Sequence, residues 1–231
     1  MIIERLDKMG SDLSVVNAAR VSYSKIAEEM TDKDEKLIKY LVAHDHWSPF
    51  AHASAQFRIK APLYVARQLV KHQVGLSWNE VSRRYVSDEP EIQKVQEWRG
   101  RPKDSKQGSD GLIDLPPEVI RRYEEHMDTS TKIYKELIYF DVAPEIARSV
   151  LPQSMMTEWI WSGTLYAFAR VCNLRCKPDT QKETRFIAEG IDRFMREDFP
   201  VSWKYLCPEK GIESIKGCLL YTSDAADECD S

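Results

Sequence analysis

The chain has 231 residues, of which 33 are Lys or Arg and 37 are Asp or Glu, so its formal net charge at pH 7 is −4. This acidic balance argues against a broad nucleic-acid surface, and no apolar run approaches the roughly 20 residues of a membrane helix. Five cysteines, an odd number clustered late in the chain, argue against a disulfide framework. Residues 1–14 lack the pattern of a secretion signal, so we predict a cytoplasmic protein, or one in the host cytoplasm if it is viral.

The first part of the chain predicts short helices and one strand. Hydrophobic periodicity and capping residues predict helices over residues 11–23, 32–46 and 62–73. Between the last two helices, residues 53–61 alternate apolar and polar side chains, as a half-buried strand does. We therefore expect a strand that enters a helix directly.

The rest of the chain is mostly helical. Residues 86–116 lose periodicity and gather Gly, Ser, Pro and charged residues, and within them we predict a long mobile loop over residues 98–111. Such a loop is either functional, as long loops often are, or a simple surface insertion. A short strand is predicted over residues 157–163, and further helices over residues 116–140, 144–152, 164–175 and 179–199. Together these elements predict an α/β fold, with a single domain of helices around a small sheet.

The C-terminal end departs from this pattern. After residue 217 the helical pattern stops and the composition shifts, and residues 218–231 are similar to translated adapter sequence from sequencing reads. We therefore predict a domain over residues 1–217, followed by a tail that is either non-native or disordered.

A dense polar run, residues 71–85, follows the helix predicted over residues 62–73. On that helix one side is predicted to be polar, with Arg67, Gln68 and Lys71. The opposite side is predicted to be buried, with Leu63, Ala66 and Val70. The run adds hydrogen-bonding side chains and two arginines that can bind a phosphate in a fork. This mixture suits a ligand with a base and a phosphate, although on residue types alone a solvated helix and loop is the simpler interpretation.

Six segments, in order along the chain, resemble the flavin-dependent thymidylate synthase family. The signature of that family runs Arg-His-Arg, two residues, Ser, four residues, Ser, one residue, Arg. The similar run in this chain is Lys71-His72-Gln73, then Ser77, Asn79-Glu80, Ser82 and Arg84-Tyr85. The other similar segments are residues 12–22, 46–52, 60–68, 143–152 and 173–185. The chain departs from the signature at Lys71 and Gln73, which stand in place of two arginines, and by one extra residue before Ser77.

The resemblance implies a fold that is not a Rossmann fold, in keeping with the absence of a Gly-x-Gly-x-x-Gly motif from the sequence. Members of the family methylate dUMP to dTMP, with methylenetetrahydrofolate as the carbon donor and NADPH-reduced FAD mediating the transfer. FAD is therefore the expected cofactor, and NADPH and methylenetetrahydrofolate are the expected co-substrates. The active sites of the family are shared between the subunits of a homotetramer, so we expect that assembly here.

The matched motifs also imply roles for individual residues. Arg185 is expected to be catalytic, because a cation near the uracil stabilises negative charge that develops on the pyrimidine. The residues expected around dUMP are Gln68, Lys71, Glu80, Ser82, Arg83, Arg84, Arg148 and Arg185. Those expected to line FAD are Ser48, Lys71, His72, Gln73, Glu80, Asn173, Arg175 and Asp179. We expect His46 and the 86–116 loop near the flavin and folate, and we expect no metal site.

Two other functions remain open on the residue pattern. A metal-dependent hydrolase would use the histidines His44, His46 and His52. Their spacing matches no known metal motif, and no carboxylate partner accompanies them. A non-enzymatic nucleic-acid binding module would use the cations Arg67, Lys71, Arg83 and Arg84. The acidic balance of the chain disfavours that module.

Overall fold

The computed structural model describes residues 1–103 and 108–208. The predicted domain end at residue 217 and the predicted tail over residues 218–231 lie outside the described residues. The buried apolar residues form one hydrophobic core. Within the described ranges, no helix is both long and apolar enough to cross a membrane.

The sheet has four strands, namely β1 (Ile2–Met9), β2 (Ser54–Pro62), β3 (Leu76–Glu80) and β6 (Met156–Thr164). They pair in the order β1-β2-β6-β3, and every pairing is antiparallel. A separate small ladder joins β4 (Arg99–Gly100) to β5 (Asp110–Leu112). A Rossmann fold needs a parallel sheet, so the predicted α/β fold outside the Rossmann class is confirmed.

The helices pack around this sheet. The shorter ones are α1 (Asp12–Arg20), α2 (Asp32–Ala43), α3 (Leu63–Leu69), α5 (Pro144–Ala147) and α8 (Pro200–Leu206). The longer ones are α4 (Pro117–Tyr139), α6 (Leu165–Arg175) and α7 (Lys182–Asp198). The predicted positions of these helices are confirmed, apart from their ends, the length of α3 and α8, which the sequence analysis did not predict.

One face of the sheet is buried under α6 and α7. Phe57 and Ile59 of β2 are fully buried, and the Phe57 ring meets Phe168 of α6 edge-on at a centroid distance of 5.1 Å. Arg58 points to the other face, where its Nε donates to Glu158 at 2.7 Å. Each fully buried aromatic or aliphatic side chain of this kind stabilises the fold by about 1.5–3 kcal/mol. The alternation in β2 therefore sets which face receives the helices.

A close approach lets α7 cover β1. A Cβ atom on Gly190 would lie only 2.8 Å from Cγ2 of Ile3, so glycine is required at that point. At the end of α7, the buried carboxylate of Asp198 is held by Arg5 at 2.6 Å and by Lys8 at 3.0 Å. The helix that carries Arg185 is thus fixed to the sheet at its middle and at its C-terminal end.

The helix predicted over residues 62–73 is shorter than expected. It ends at Leu69, and the chain then turns at Gly75, whose φ is +76°. The buried side is formed by Val65, Ala66 and Leu69, whereas Leu63 and Val70 are only half-buried. After the turn, the backbone carbonyl of Gly75 accepts from the N–H of Thr164 at 3.1 Å, where the pairing of β3 with β6 begins.

Two regions contain more regular structure than the sequence predicted. Residues 76–80 form β3, in which Trp78 stacks on Trp159 at a centroid distance of 4.4 Å. The described parts of residues 86–116 contain β4, β5 and a bridge between Ile92 and Met155, whereas residues 104–107 of the predicted loop lie outside the described residues. Both regions gain their order from pairing between segments that are apart in the chain.

Candidate functional site

Two cavities flank α3. The arginine cavity has a volume of about 500 Å³ and lies between α3, the end of β3 and the turn at Arg148. The second cavity has a volume of about 590 Å³ and lies between α3, residues 174–181 and the segments 95–99 and 108–109. We call it the network cavity, after the hydrogen bonds along its wall. Arg67 lines the first cavity and Gln68 lines the second, so the prediction that they share one side is wrong. Lys71 is exposed beyond the end of the helix.

Three arginines line the arginine cavity. Arg83 is already engaged, because its Nη1 donates to the carbonyl oxygen of Asp88 at 2.5 Å and to its Oδ1 at 2.9 Å. Arg148 donates from Nε to the carbonyl oxygen of Glu145 at 3.3 Å. Within the described ranges, no carboxylate forms an ion pair with Arg67 or Arg148. This cavity therefore offers two cations to an anionic ligand.

Glu80 forms part of the same wall, at the end of β3. Its Oε1 accepts from the Thr157 hydroxyl at 2.7 Å, and its Oε2 accepts from Nε1 of Trp78 at 3.1 Å. These two donors stand on the neighbouring strand and on β3 itself, so the sheet fixes the direction of the carboxylate. A carboxylate oxygen can accept more than one hydrogen bond, so Glu80 can still bind a ligand donor.

Ser82 and Arg84 stand in the turn that follows β3. The Ser82 Oγ accepts from both the backbone N–H and the Nε of Arg84, each at 3.4 Å. The Arg84 guanidinium lies 5.0 Å from the centre of the Tyr85 ring, and that ring is strongly exposed. Neither Ser82 nor Arg84 belongs to the described lining of the arginine cavity. A single chain therefore does not bring them to Arg148.

The network cavity has a chain of hydrogen bonds along its wall. Arg99 donates from Nη2 to Oε1 of Glu183 at 2.5 Å, and Gln181 donates from Nε2 to Oε2 of Glu183 at 3.0 Å. Gln68 donates from Nε2 to Oε1 of Gln181, and the Thr184 hydroxyl donates to Oε1 of Gln68 at 3.2 Å. Burial alone would raise the pKa of Glu183, but the hydrogen bond and charge of Arg99, together with hydrogen bonds from the backbone and from Gln181, lower that pKa.

His72 and Arg175 meet beside the network cavity. Nε of Arg175 lies 3.0 Å from Nε2 of His72, so the arginine donates to the imidazole. Burial and then the charges of Arg175 and Arg170 lower the pKa of His72, which keeps the ring neutral and its Nε2 able to accept. Arg175 and Asp179 both line the network cavity. Three of the residues expected to line FAD are therefore close together.

The other residues expected to line FAD lie elsewhere. Asn173 lines a smaller cavity of about 180 Å³ together with His46 and Trp47, and its Nδ2 donates to the carbonyl oxygen of Leu206 at 2.7 Å. Ser48, which is exposed, follows Trp47 in a short 3-10 helix over residues 48–52. The smaller cavity and the network cavity both adjoin the C-terminal end of α6. Gln73 is exposed in the turn after α3 and lines neither cavity.

Arg185 stands in the first turns of α7. Its Nη1 donates to the carbonyl oxygen of Pro178 at 3.1 Å, and its Nε lies 3.6 Å from Oε1 of Glu189. Burial raises the pKa of Glu189, although the charge of Arg185 opposes that rise. Arg185 belongs to the described lining of none of the three cavities. The structure of one chain does not place it in the lining of the arginine cavity.

The histidines do not form a metal centre in the described ranges. The rings of His44 and His46 lie 6.3 Å apart between centroids, and both pack against Tyr40. Among the residues that the structure describes, no group of three His, Cys, Asp or Glu side chains is placed to hold a metal ion. The geometry gives no support to a metal-dependent hydrolase.

Several residues of these cavities were missing from the predicted set. Arg67 was placed on the polar side of its helix and named as a cation of a nucleic-acid binding module, but it was not among the residues expected around dUMP or FAD. Thr157, Arg99, Glu183 and Thr184 were not predicted, because a hydrogen bond between distant segments leaves no periodic pattern in the sequence.

Comparison with known proteins gives consistent results. Residues 5–201 match the family described as "Thymidylate synthase complementing protein". The flavin-dependent thymidylate synthase of Kosmotoga olearia is 38% identical over 204 residues, covering 87% of this chain and 88% of the relative. That of Thermus thermophilus is 35% identical over 201 residues, covering 87% of this chain and 73% of the relative. Among solved structures, the UMP/dUMP methylase PolB of Streptomyces cacaoi bound with 5-Br dUMP has a TM-score of 0.75 and 30% identity, covering 88% of this chain and 93% of that one.

Proposed function

The chain belongs to the thymidylate synthase complementing protein family, whose relatives here are flavin-dependent thymidylate synthases, and we propose that it methylates dUMP to dTMP. The observation that carries this proposal is the family match over residues 5–201, which includes every residue expected to bind dUMP or FAD. The two cavities beside α3 have the charge and size that such ligands need. Their volumes lie in the range of about 300–1,000 Å³ that is typical of ligand sites.

We propose that the phosphate of dUMP binds in the arginine cavity. Arg67 and Arg148 lack an ion pair in the described ranges, and an arginine holds a phosphate through two parallel hydrogen bonds. Glu80 is held in place by Thr157 and can accept from an N–H or O–H of the nucleotide. Arg83 is already hydrogen-bonded to Asp88, so we expect it to contribute less to ligand binding than the sequence suggested.

The residues beside α6 fit FAD. Arg175 and Lys177 of the network cavity suit its pyrophosphate, and the neutral ring of His72 orients Arg175. Asn173 in the adjoining smaller cavity extends the site, which suits a long ligand. Bound FAD would supply the electron transfer, with NADPH as the reductant and methylenetetrahydrofolate as the carbon donor.

We propose that Arg185 is the catalytic cation and that the enzyme is a homotetramer with shared active sites. A cation that faces the uracil stabilises the charge that develops when the pyrimidine carbon becomes a nucleophile. Within one chain Arg185, Ser82 and Arg84 stand apart from the arginine cavity, and subunits that share active sites would bring them to it. We also propose that the enzyme works in the cytoplasm, or in the host cytoplasm if it is viral.

The proposal is tested by incubating the FAD-loaded protein with dUMP, NADPH and methylenetetrahydrofolate and separating the nucleotides by chromatography. We expect dTMP to form and NADPH oxidation to depend on dUMP. A protein that binds FAD but forms no dTMP under these conditions would contradict the proposal.

UMP is a second candidate substrate. The structural neighbour is described as a UMP/dUMP methylase, and a further structure of it holds 5-Br UMP with a TM-score of 0.70 to this chain. Replacing dUMP by UMP in the same assay decides between them, and we expect turnover with dUMP to be the faster.

A further inference from the structure

The Gln68 amide is held at both of its ends. Its Nε2 donates to Gln181 and its Oε1 accepts from the Thr184 hydroxyl, which is fully buried. The amide has one further N–H and one further lone pair with which to meet a ligand. Which of these groups faces the network cavity depends on the direction in which the amide points. A reversal of the amide would exchange a donor for an acceptor at the site.

The direction of the amide is set from the far end of the hydrogen-bond chain. An ionised carboxylate only accepts hydrogen bonds. Glu183 therefore requires Gln181 to turn its NH₂ group towards the carboxylate, at 3.0 Å. The Oε1 of Gln181 then faces Gln68, so Gln68 must turn its own NH₂ group towards it. Reversing either amide would set two acceptors or two donors against each other, which costs free energy in a half-buried site.

Arg99 keeps the hydrogen-bond chain in this direction, because it holds Glu183 in its ionised form. It donates to Glu183 at 2.5 Å, and the Glu183 side chain is only 15% exposed, so burial by itself favours the protonated acid. A protonated Glu183 would carry a donor and would allow Gln181 to turn over. Arg99 comes from β4, in the segment between residues 86 and 116, and Ser109 of the same segment accepts from its Nε at 2.9 Å. The segment therefore places a cation behind the substrate-binding amide.

We propose that Arg99 is a positioning residue for the nucleotide, because through Glu183 and Gln181 it fixes the direction of the Gln68 amide. This inference rests on the proposed function with active sites shared between subunits, in which Gln68 of one subunit, beside FAD in the network cavity, meets the dUMP held in the arginine cavity of another. Arg99 acts on dUMP through Gln68, so with FAD saturating its loss should weaken dUMP binding without changing the chemical step.

The test uses the full-length, FAD-loaded protein, with the dUMP dissociation constant measured by calorimetry and kcat measured at saturating dUMP. We expect Arg99→Gln and Glu183→Gln each to raise the dissociation constant about tenfold, the equivalent of one misdirected hydrogen bond. The FAD dissociation constant is measured in parallel, because Arg99 lines the cavity proposed for FAD, and kcat with FAD and dUMP both saturating should stay at the level of the unchanged protein. Arg99→Lys keeps the charge and should recover part of the affinity. Arg101→Gln, an exposed change two residues along the chain, is the matched control.

A double variant separates orientation from general damage. If Arg99 acts only through Glu183, the Arg99→Gln and Glu183→Gln double variant should bind dUMP no more weakly than Glu183→Gln alone. Full additivity would overturn the inference, as would an unchanged dissociation constant in Arg99→Gln or an equal loss in Arg101→Gln. An unchanged protein that binds FAD but not dUMP would instead contradict the proposed function itself.

Discussion

The two cavities beside α3 share that helix as a wall but differ in how their charged side chains are paired. In the network cavity Arg99, Glu183 and Gln181 bind one another, and the chain continues to Gln68. In the arginine cavity Arg67 and Arg148 stand without an ion pair in the described ranges. The first cavity is organised by its own side chains, and the second has cations available for a ligand.

Because the two cavities differ in pairing, we expect substitutions in them to differ in their effects on ligand affinity and on the free energy of unfolding. A paired and buried network holds the fold together, so breaking it should lower the free energy of unfolding. Cations without a paired carboxylate add little to that free energy, but they bind a phosphate strongly. We therefore expect substitutions in the arginine cavity to weaken binding and substitutions in the network cavity to weaken the fold as well.

The largest expected effect comes from a residue outside both cavities. Arg185→Ala should lower kcat by about 10²–10³, because one preorganised charge that faces the developing anion is lost. Flavin binding should persist, as judged by the absorbance of the purified variant, while dTMP formation is followed by chromatography. Arg193→Ala, an exposed change on the same helix, is the control. Unchanged turnover in Arg185→Ala would show that the two cavities suffice without it.

The next largest effect is expected from a substitution in the arginine cavity. Arg148→Ala should raise the KM for dUMP about 10- to 100-fold, the equivalent of a hydrogen bond to a charged group. Its melting temperature should match that of the unchanged protein, because Arg148 is exposed and bonds only weakly to Glu145. Arg121→Ala, at an exposed helix position, is the control. A lower melting temperature with an unchanged KM would reverse the roles assigned to the cavities.

A pair of matched variants compares the stability of the two cavities directly. Thr184→Val removes a buried hydroxyl from Gln68 and should lower the free energy of unfolding by about 1–3 kcal/mol. Thr157→Val removes a similar hydroxyl from Glu80, which is exposed, so water replaces the lost donor and the cost should be smaller. Urea unfolding of both variants measures the difference. Equal losses of unfolding free energy in the two variants would show that the network cavity does not stabilise the fold more than the arginine cavity does.

The smallest expected effect is on the free energy of unfolding at acid pH. The pKa of His72 is lowered from its usual 6.5, so the folded state binds this proton less readily than the unfolded chain. The contribution of His72 to stability is therefore fully present above pH 6.5 and is lost as the pH falls through the lowered pKa. Unfolding free energies measured between about pH 7.5 and 5.5 should fall less steeply in His72→Gln than in the unchanged protein. Identical slopes would show that the contact with Arg175 does not depend on a neutral ring.

The sequence predicted those parts of the fold whose pattern is local and long. The alternation in β2 and the apolar side of α7, with Ile187 and Ile191 buried, needed no knowledge of the partner elements. The end of α3 and the existence of β3 could not be predicted in the same way. Both depend on Gly75 and on pairing with β6, which lies about eighty residues further along the chain.

Prediction of the candidate site from the sequence has the same limit. Resemblance to the family identified Gln68, Glu80 and Arg148 as binding residues, and the structure places them on cavity walls. It did not indicate that Arg99 would pair with Glu183, because the two residues are 84 positions apart and Arg99 stands in a segment without periodicity. Motifs identify residue types along the chain, whereas the pairing of side chains depends on the folded structure.

The most direct test of the account compares the binding of dUMP and of deoxyuridine, which lacks the phosphate, to the FAD-loaded protein. Calorimetry with the unchanged protein and with an Arg67→Ala and Arg148→Ala double variant gives the preference for the phosphate in each. We predict that the double variant loses most of its preference for dUMP and keeps the affinity of the unchanged protein for deoxyuridine. A preference for dUMP that survives the loss of both arginines would contradict the assignment of the arginine cavity as the phosphate site.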